Sequence, residues 1–165
     1  ITPVNYISGE CITHLDVGVP LLLRRPNSAF TLANFMRANI YSAFATLAMG
    51  LEILRKENVA VNTLLGHGGI FKTPGVAQRY LAAAAGAPVT CMETAGEGGS
   101  YGMALLAAYR LHRADDEALA SYLNRCVFAD AQSTTLSPDP AEQSGFAAFL
   151  TQYQTALKAE RAVVK

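Results

Sequence analysis

The sequence predicts an α/β domain, because short apolar runs that end in glycine turns alternate with segments that have the apolar spacing of helices. Hydrophobic residues make up 51% of the chain and charged residues only 16%, which is typical of a packed globular protein. A length of 165 residues fits one domain with a sizeable core. We therefore expect one α/β domain over residues 1–165.

Charge and cysteine content exclude several classes of function. Thirteen basic residues balance thirteen acidic ones, so no global field favours nucleic acid or an anionic membrane. The cysteines Cys11, Cys91 and Cys126 are widely spaced and form no Cys-x-x-Cys pair, which favours reduced thiols in a cytosolic protein. We find neither a signal peptide nor an apolar run of membrane-spanning length. We expect a cytoplasmic protein that binds neither nucleic acid nor membrane.

The first third of the chain predicts short strands followed by one long helix. Residues 1–26 are rich in Gly, Pro and β-branched residues, as short strands and loops are. From Ser28 to Glu57, apolar residues recur at three- and four-residue steps, and Ser28 or Thr31 can cap the first amides. The predicted buried stripe consists of Leu32, Phe35, Met36, Ile40, Ala43, Phe44, Leu47, Leu51 and Leu54.

A strand, a glycine turn and a helix follow. Val59–Leu65 predicts a buried strand, because it is apolar and β-branched. Thr73–Ala85 predicts a helix in which Thr73 is the N-cap, Pro74 is the first helical residue and Gly86 ends the last turn.

The remainder repeats this order and ends in an amphipathic helix. Alanine and leucine over Ser100–His112 indicate a buried helix, and a polar-faced helix is predicted to follow it. A loop or edge strand and a last helix with an aromatic stripe complete the chain. The predicted ranges are a strand over Pro88–Met92, helices over Ser100–His112 and Asp115–Cys126, a loop or edge strand over Ala129–Asp139, and a helix over Pro140–Val163.

The first segment with chemical potential is residues 66–74, which read GHGGIFKTP. Glycines let the backbone approach a ligand closely, and a helix entrance offers unpaired amides, as a nucleotide requires. Lys72 can either contact a phosphate or remain solvated. The spacing is neither that of a Walker A loop nor Gly-x-Gly-x-x-Gly, so a plain strand-to-helix turn is the alternative interpretation.

The second such segment is residues 93–102, which read ETAGEGGSYG and again open onto a helix. Three glycines lie within four residues there, more than a connection alone requires. Glu97 can accept hydrogen bonds from a ribose or a base, or it can cap the following helix. The segment alone favours the cap.

Together these segments resemble the adenosine-binding region of the FGGY carbohydrate kinases. The Gly-Gly turn, the helix with Gln78 and the Gly-x-Pro-Val strand start all match, and the likeness covers roughly residues 1 to 157. Residues 92–97, METAGE, are similar to a xylulokinase-like or ribulokinase-like subgroup. Arg37-Ala38 also follows the family, whereas Tyr41-Ser42 stands where many members have Glu-Gly.

The resemblance implies an actin-like, ribonuclease-H-like ATPase domain that forms the C-terminal half of a two-domain sugar kinase. It implies that Gly68 and Gly69 lie against the adenosine and α-phosphate of ATP, with Lys72, Gly96 and Glu97 beside them. It further implies Mg²⁺ and transfer of the γ-phosphate to a sugar hydroxyl, with a pentulose such as xylulose as the expected acceptor. The sugar would be bound mainly by an N-terminal domain outside this chain.

No catalytic residue or metal ligand is assigned. In the family the catalytic Asp and a phosphate loop lie upstream, so the chain alone is expected to be inactive. Its uncovered apolar surface is expected to form dimers or higher oligomers. His14, His67 and His112 have no metal-site spacing. The alternative is a non-catalytic regulatory or assembly module, which a polar, closed surface would favour over the kinase half.

Overall fold

The computed structural model describes residues 1–164, and the order of its elements matches the order predicted from sequence. Two short 3₁₀ helices, Gly69–Lys72 and Ala95–Glu97, occupy the two glycine segments. The strands and α-helices are β1 (Thr2–Val4), β2 (Leu21–Leu23), α1 (Leu32–Lys56), β3 (Leu64–Leu65), α2 (Val76–Ala85), β4 (Val89–Met92), α3 (Gly98–His112), α4 (Leu119–Cys126), β5 (Ser133–Leu136) and α5 (Pro140–Val164).

The main sheet has the strand order β3-β4-β5. Strand β3 pairs parallel to β4 through α2, as a strand-helix-strand unit does, with Leu64 opposite Val89. Strand β5 adds antiparallel to β4, with Met92 opposite Ser133. Strands β1 and β2 form a separate antiparallel pair. The predicted α/β fold class is therefore confirmed.

Helix α1 begins and ends as predicted but buries a different face. The Thr31 hydroxyl accepts a hydrogen bond from the Asn34 amide at 3.2 Å, so Thr31 is the N-cap. The predicted stripe was wrong, because only Phe44 and Leu51 of that set are buried. Three alanines on the neighbouring face let α2 and α5 approach closely. The buried residues of α1 are Ala38, Tyr41, Ser42, Phe44, Ala45, Ala48 and Leu51, whereas Leu32, Met36, Leu47 and Leu54 are exposed.

Aromatic side chains join α1 to α5. The Tyr41 ring meets Phe146 edge-on at a centroid distance of 5.2 Å and Phe149 at 5.4 Å. Tyr153 is fully buried and continues the cluster 5.9 Å from Phe149. The stripe predicted for α5 is thus confirmed, although Leu150 is only partly buried; its members are Phe146, Phe149, Leu150, Tyr153 and Leu157.

Helix α2 begins two residues later than predicted, at Val76 instead of Pro74. Residues Gly69–Lys72 form a 3₁₀ helix instead. The chain then bends at Gly75, which has a φ of 75° and is the N-cap residue of α2. Thr73 therefore ends the 3₁₀ helix, and Pro74 lies in the bend, so neither has its predicted capping role. Gly86 ends α2 as predicted, in the left-handed conformation with φ of 64°.

The prediction of a buried helix was wrong for α3, which has no buried residue. Its apolar residues lie on more than one face, and its main contacts within the described chain are with α4 and the Ala95–Glu97 turn. Helix α4 starts at Leu119, and the strand predicted over Val59–Leu65 pairs only at β3, with Leu65 exposed. The alanine and leucine content of residues 100–112 correctly indicated a helix, but it did not indicate whether other elements bury that helix.

None of the helices in residues 1–164 is long and apolar enough to cross a membrane.

We expect Tyr153→Ala to lower the free energy of unfolding by about 3–5 kcal/mol, because it removes a large aromatic group from the centre of the core. Val163→Ala is the control on the same helix, since Val163 is 59% exposed and its truncation should cost less than about 0.5 kcal/mol. Urea unfolding of both variants measures the difference. Equal midpoints for the two variants would show that the α1–α5 cluster does not hold the fold together.

Candidate functional site

A cavity of about 740 Å³ lies where β3 and β4 end and the two glycine segments begin. Its floor includes Cys91 and Met92 at the end of β4, and Ser133 and Thr134 of β5 form another wall. Crevices at the carboxyl ends of parallel strands are the usual ligand sites of α/β folds, and the volume suits a small-molecule ligand. This cavity is therefore the candidate site.

The two glycine segments contact each other directly at the mouth of the cavity. The Gly68 amide donates a hydrogen bond to the Ala95 carbonyl at 2.6 Å. A Cβ on Gly96 would lie 2.9 Å from Lys72 Cγ, and one on Gly98 would lie 2.8 Å from His67 Cβ. Glycine at 96 and 98 therefore permits a close approach that any side chain would obstruct.

An ion pair crosses this contact. Lys72 Nζ lies 2.6 Å from a carboxylate oxygen of Glu97, and both side chains are more than half exposed. The hydrogen bond from Lys72 holds the pKa of Glu97 below its usual value. Glu97 is the N-cap residue of α3, yet its side chain makes no capping hydrogen bond. The capping interpretation of Glu97 was therefore wrong, because its carboxylate forms an ion pair with Lys72 instead of bonding to the first amides of α3.

Gly68 and Gly69 differ in what they require. Gly68 has φ of 109°, a conformation that favours glycine, and its amide is already bonded to Ala95. Gly69 has no such backbone requirement, and a Cβ added there would meet nothing within 4 Å. The structural role of Gly68 is evident, whereas nothing in the fold itself demands glycine at 69.

Three of the five predicted nucleotide-binding residues line the cavity. They are Lys72, Gly96 and Glu97. Gly68 and Gly69 lie on the same connection as Lys72 but do not line the cavity. The glycine segments thus come together as one site, with the Gly68-Gly69 pair at its margin.

The fold adds several groups to the cavity beyond the five predicted residues. Phe71, Cys91 and Met92 supply apolar walls, and the half-buried Tyr101 lines the cavity as well. The order of strand, turn and helix is the signal that could have located Cys91 and Met92, because residues at strand ends face the crevice. Burial raises the pKa of the Cys91 thiol, so it is less reactive than an exposed cysteine.

The segment Ser133-Thr134-Thr135 is an edge strand, which was one of the two interpretations of its sequence. Ser133 and Thr134 nevertheless line the cavity. The Thr134 hydroxyl and backbone carbonyl are both hydrogen-bonded to Gln78 of α2, so helix α2 holds this wall of the cavity in place.

Metal-ligating side chains do not cluster in residues 1–164, where no three His, Cys, Asp or Glu come together. Glu93 and Glu97 are the carboxylates that line the cavity. A Mg²⁺ ion bound largely through phosphates and water needs only one or two carboxylates, so this set suits an ion that arrives with a nucleotide.

Comparison with solved structures identifies the fold. The chain resembles a ligand-bound xylulose kinase from Lactobacillus acidophilus, with a TM-score of 0.63 and 19% identity over 99% of this chain and 32% of the other. A gluconate kinase from the same organism gives a TM-score of 0.60 and 18% identity over 89% of this chain and 28% of the other. A xylulose kinase from Rhodospirillum rubrum gives 0.53 and 19%, over 87% and 27%.

These neighbours are sugar kinases with the actin-like ATPase fold, and the chain spans roughly a third of their length. The family model for the C-terminal domain of the FGGY carbohydrate kinases matches residues 1–111. The chain therefore belongs to the FGGY family of carbohydrate kinases and corresponds to its C-terminal domain. No curated protein matches the chain.

Alanine should lower the stability of the protein at Gly66 but leave it unchanged at Gly69. A Cβ on the buried Gly66 would lie 2.6 Å from Phe71 and 2.8 Å from the Cys91 sulfur, so Gly66→Ala should cost about 1–3 kcal/mol of stability. Gly69→Ala enters open space and should change stability by less than about 0.5 kcal/mol. Thermal unfolding of the two variants tests this. A large loss at Gly69 would mean that its role is structural after all.

Proposed function

We propose that this chain is the ATP-binding part of a carbohydrate kinase that transfers the γ-phosphate of ATP to a sugar hydroxyl. The observation that carries the proposal is the cavity at the ends of β3 and β4 in a chain of the FGGY family. Two glycine turns contact each other at the mouth of this cavity. Residues 1–165 would form one nucleotide-binding domain, beside a sugar-binding domain elsewhere in the protein.

The walls of the cavity suit an adenosine nucleotide. Phe71, Met92 and Tyr101 offer apolar and aromatic surface for a nucleobase. Lys72 offers a cation for a phosphate, and α3 begins beside the cavity, so its first amides and positive dipole end favour an anion. Gly69 would leave room for the nucleotide at the margin. Mg²⁺ would be held between Glu93 or Glu97 and the phosphates, where it would neutralise phosphate charge.

A pentulose such as xylulose is the proposed acceptor. This is supported by the likeness of residues 92–97 to a xylulokinase-like or ribulokinase-like subgroup and by xylulose kinases among the structural neighbours. The groups that bind the sugar and activate its hydroxyl would come from the other domain, so no catalytic residue is assigned here and the chain alone is expected to be inactive. Unpaired cysteines and balanced charge favour a cytoplasmic protein without nucleic-acid or membrane partners.

The exposed face of α1 favours the kinase over a self-contained regulatory or assembly module. Leu32 is 78% exposed and Met36 is 54% exposed. Leu47 and Leu54 are exposed on the same face of α1, and no charged residue interrupts this face. A module with a closed, polar surface would not present such a face. Apolar surface of this kind fits association with another domain, and in its absence we expect dimers or higher oligomers.

The first test of the function is Gly69→Val in this chain. We expect the dissociation constant for ATP to rise at least tenfold while the melting temperature changes little, because the side chain enters space that the nucleotide needs and the fold does not use. Titration followed by NMR measures weak ATP binding, and Gly69→Ala provides an intermediate step. Normal ATP affinity in a stable Gly69→Val variant would contradict the nucleotide site at this turn.

A second test separates Lys72 from Glu97. If Lys72 must leave Glu97 to contact a phosphate, Lys72→Ala should weaken ATP binding less than Gly69→Val does. In the absence of Mg²⁺, Glu97→Gln should strengthen ATP binding, because it removes the carboxylate that competes for Lys72. Adenosine is the control ligand, since it has no phosphate and its affinity should not change in either variant. Weaker adenosine binding in Glu97→Gln would instead show that Glu97 contacts the nucleoside.

A further inference from the structure

Gln78 is a buried amide in the wall of the cavity whose position the nucleotide proposal does not explain. Its side chain is only 3% exposed, although it lies on a helix otherwise buried through alanine and leucine. A buried polar side chain lowers stability unless its hydrogen bonds are made. The bonds that Gln78 makes therefore indicate why an amide stands there.

All of those bonds lead to the two strands that flank the cavity. Gln78 Nε2 donates to the Val89 carbonyl of β4 and to the Thr134 carbonyl of β5, both at 2.8 Å. Gln78 Oε1 accepts a hydrogen bond from the Thr134 hydroxyl at 3.2 Å. The amide thus joins helix α2 to both strands, and two of its three bonds go to one residue of β5.

Besides these bonds, strand β5 is held by its pairing with β4 and by a hydrogen bond between the Thr90 and Thr135 hydroxyls. It is the edge strand of the sheet, and three of its four residues are exposed. Pairing with β4 sets its register, but an edge strand with so little buried surface opens readily. Ser133 and Thr134 nevertheless line the cavity, so a ligand there contacts a wall that Gln78 holds from the core.

We propose that Gln78 is a positioning residue of the nucleotide site, which fixes Thr134 and the adjoining Ser133 against the cavity through its buried carboxamide. The inference rests on the proposed nucleotide-binding function. It assigns to Gln78 no direct role in phosphate transfer. It adds that affinity depends on an amide that ties the edge strand to the core.

The test compares Gln78→Met with Tyr41→Phe in this chain. Methionine keeps the length of the side chain and removes all three bonds. Tyr41→Phe removes a buried bond to Glu142, 3.0 Å long, between two residues that do not line the cavity. We expect both to lower the melting temperature, but only Gln78→Met to raise the ATP dissociation constant, by about five- to tenfold. Amide hydrogen exchange at Thr134 and Thr135 should accelerate only in Gln78→Met.

A double-mutant cycle shows whether Gln78 acts through Thr134. Thr134→Val should weaken ATP binding by itself and add little in the Gln78→Met background, because the hydroxyl has then already lost its partner. Unchanged ATP affinity in Gln78→Met, or fully additive effects, would overturn the positioning role while wild-type binding still stands. Failure of the wild-type chain to bind ATP at all would overturn the proposed function as well, so the two failures are distinguishable.

Discussion

The fold depends on the aromatic contact between α1 and α5. The described sheets are small, with β3 only two residues long, so strand pairing cannot supply much of the core. Along the two 25-residue helices, Tyr41 instead meets Phe146 and Phe149 edge-on, and Tyr153 extends the cluster in a tilted contact with Phe149. Helix α2 lies against both of them, and its two ends connect to β3 and β4. The position of the cavity is thus set by helix packing that lies behind the sheet.

The site itself depends on glycine in a way that differs from one position to the next. At Gly68 the backbone conformation requires it, and at Gly96 the stem of Lys72 leaves no room for a side chain. These glycines shape the protein, because they let two turns from separate strands touch and bring Lys72 to Glu97. Gly69 satisfies no comparable need within the fold. A glycine-rich motif therefore combines residues that build a site with residues that leave it open.

Sequence patterns predicted what depends on neighbouring residues and missed what depends on distant ones. The Thr31 cap, the Gly86 stop and the aromatic stripe of α5 are local features, and they were predicted. The buried face of α1 was not, since that helix has an apolar stripe on each of two sides and only packing against α2 and α5 selects the alanine-rich one. The ion pair of Lys72 and the bonds of Gln78 to Val89 and Thr134 likewise join residues far apart in sequence.

The hydroxyl of Tyr41 joins three helices through a buried carboxylate. The Tyr41 hydroxyl donates to the carboxylate of Glu142, and that carboxylate also pairs with Arg79. Glu142 is 8% exposed, so both partners are needed to compensate for the burial of its charge. Burial and the neighbouring carboxylate together raise the pKa of Tyr41, which keeps the hydroxyl protonated and able to donate. Tyr41, Arg79 and Glu142 thus join α1, α2 and α5 beside the aromatic cluster, and the Tyr41 ring contributes to that cluster as well.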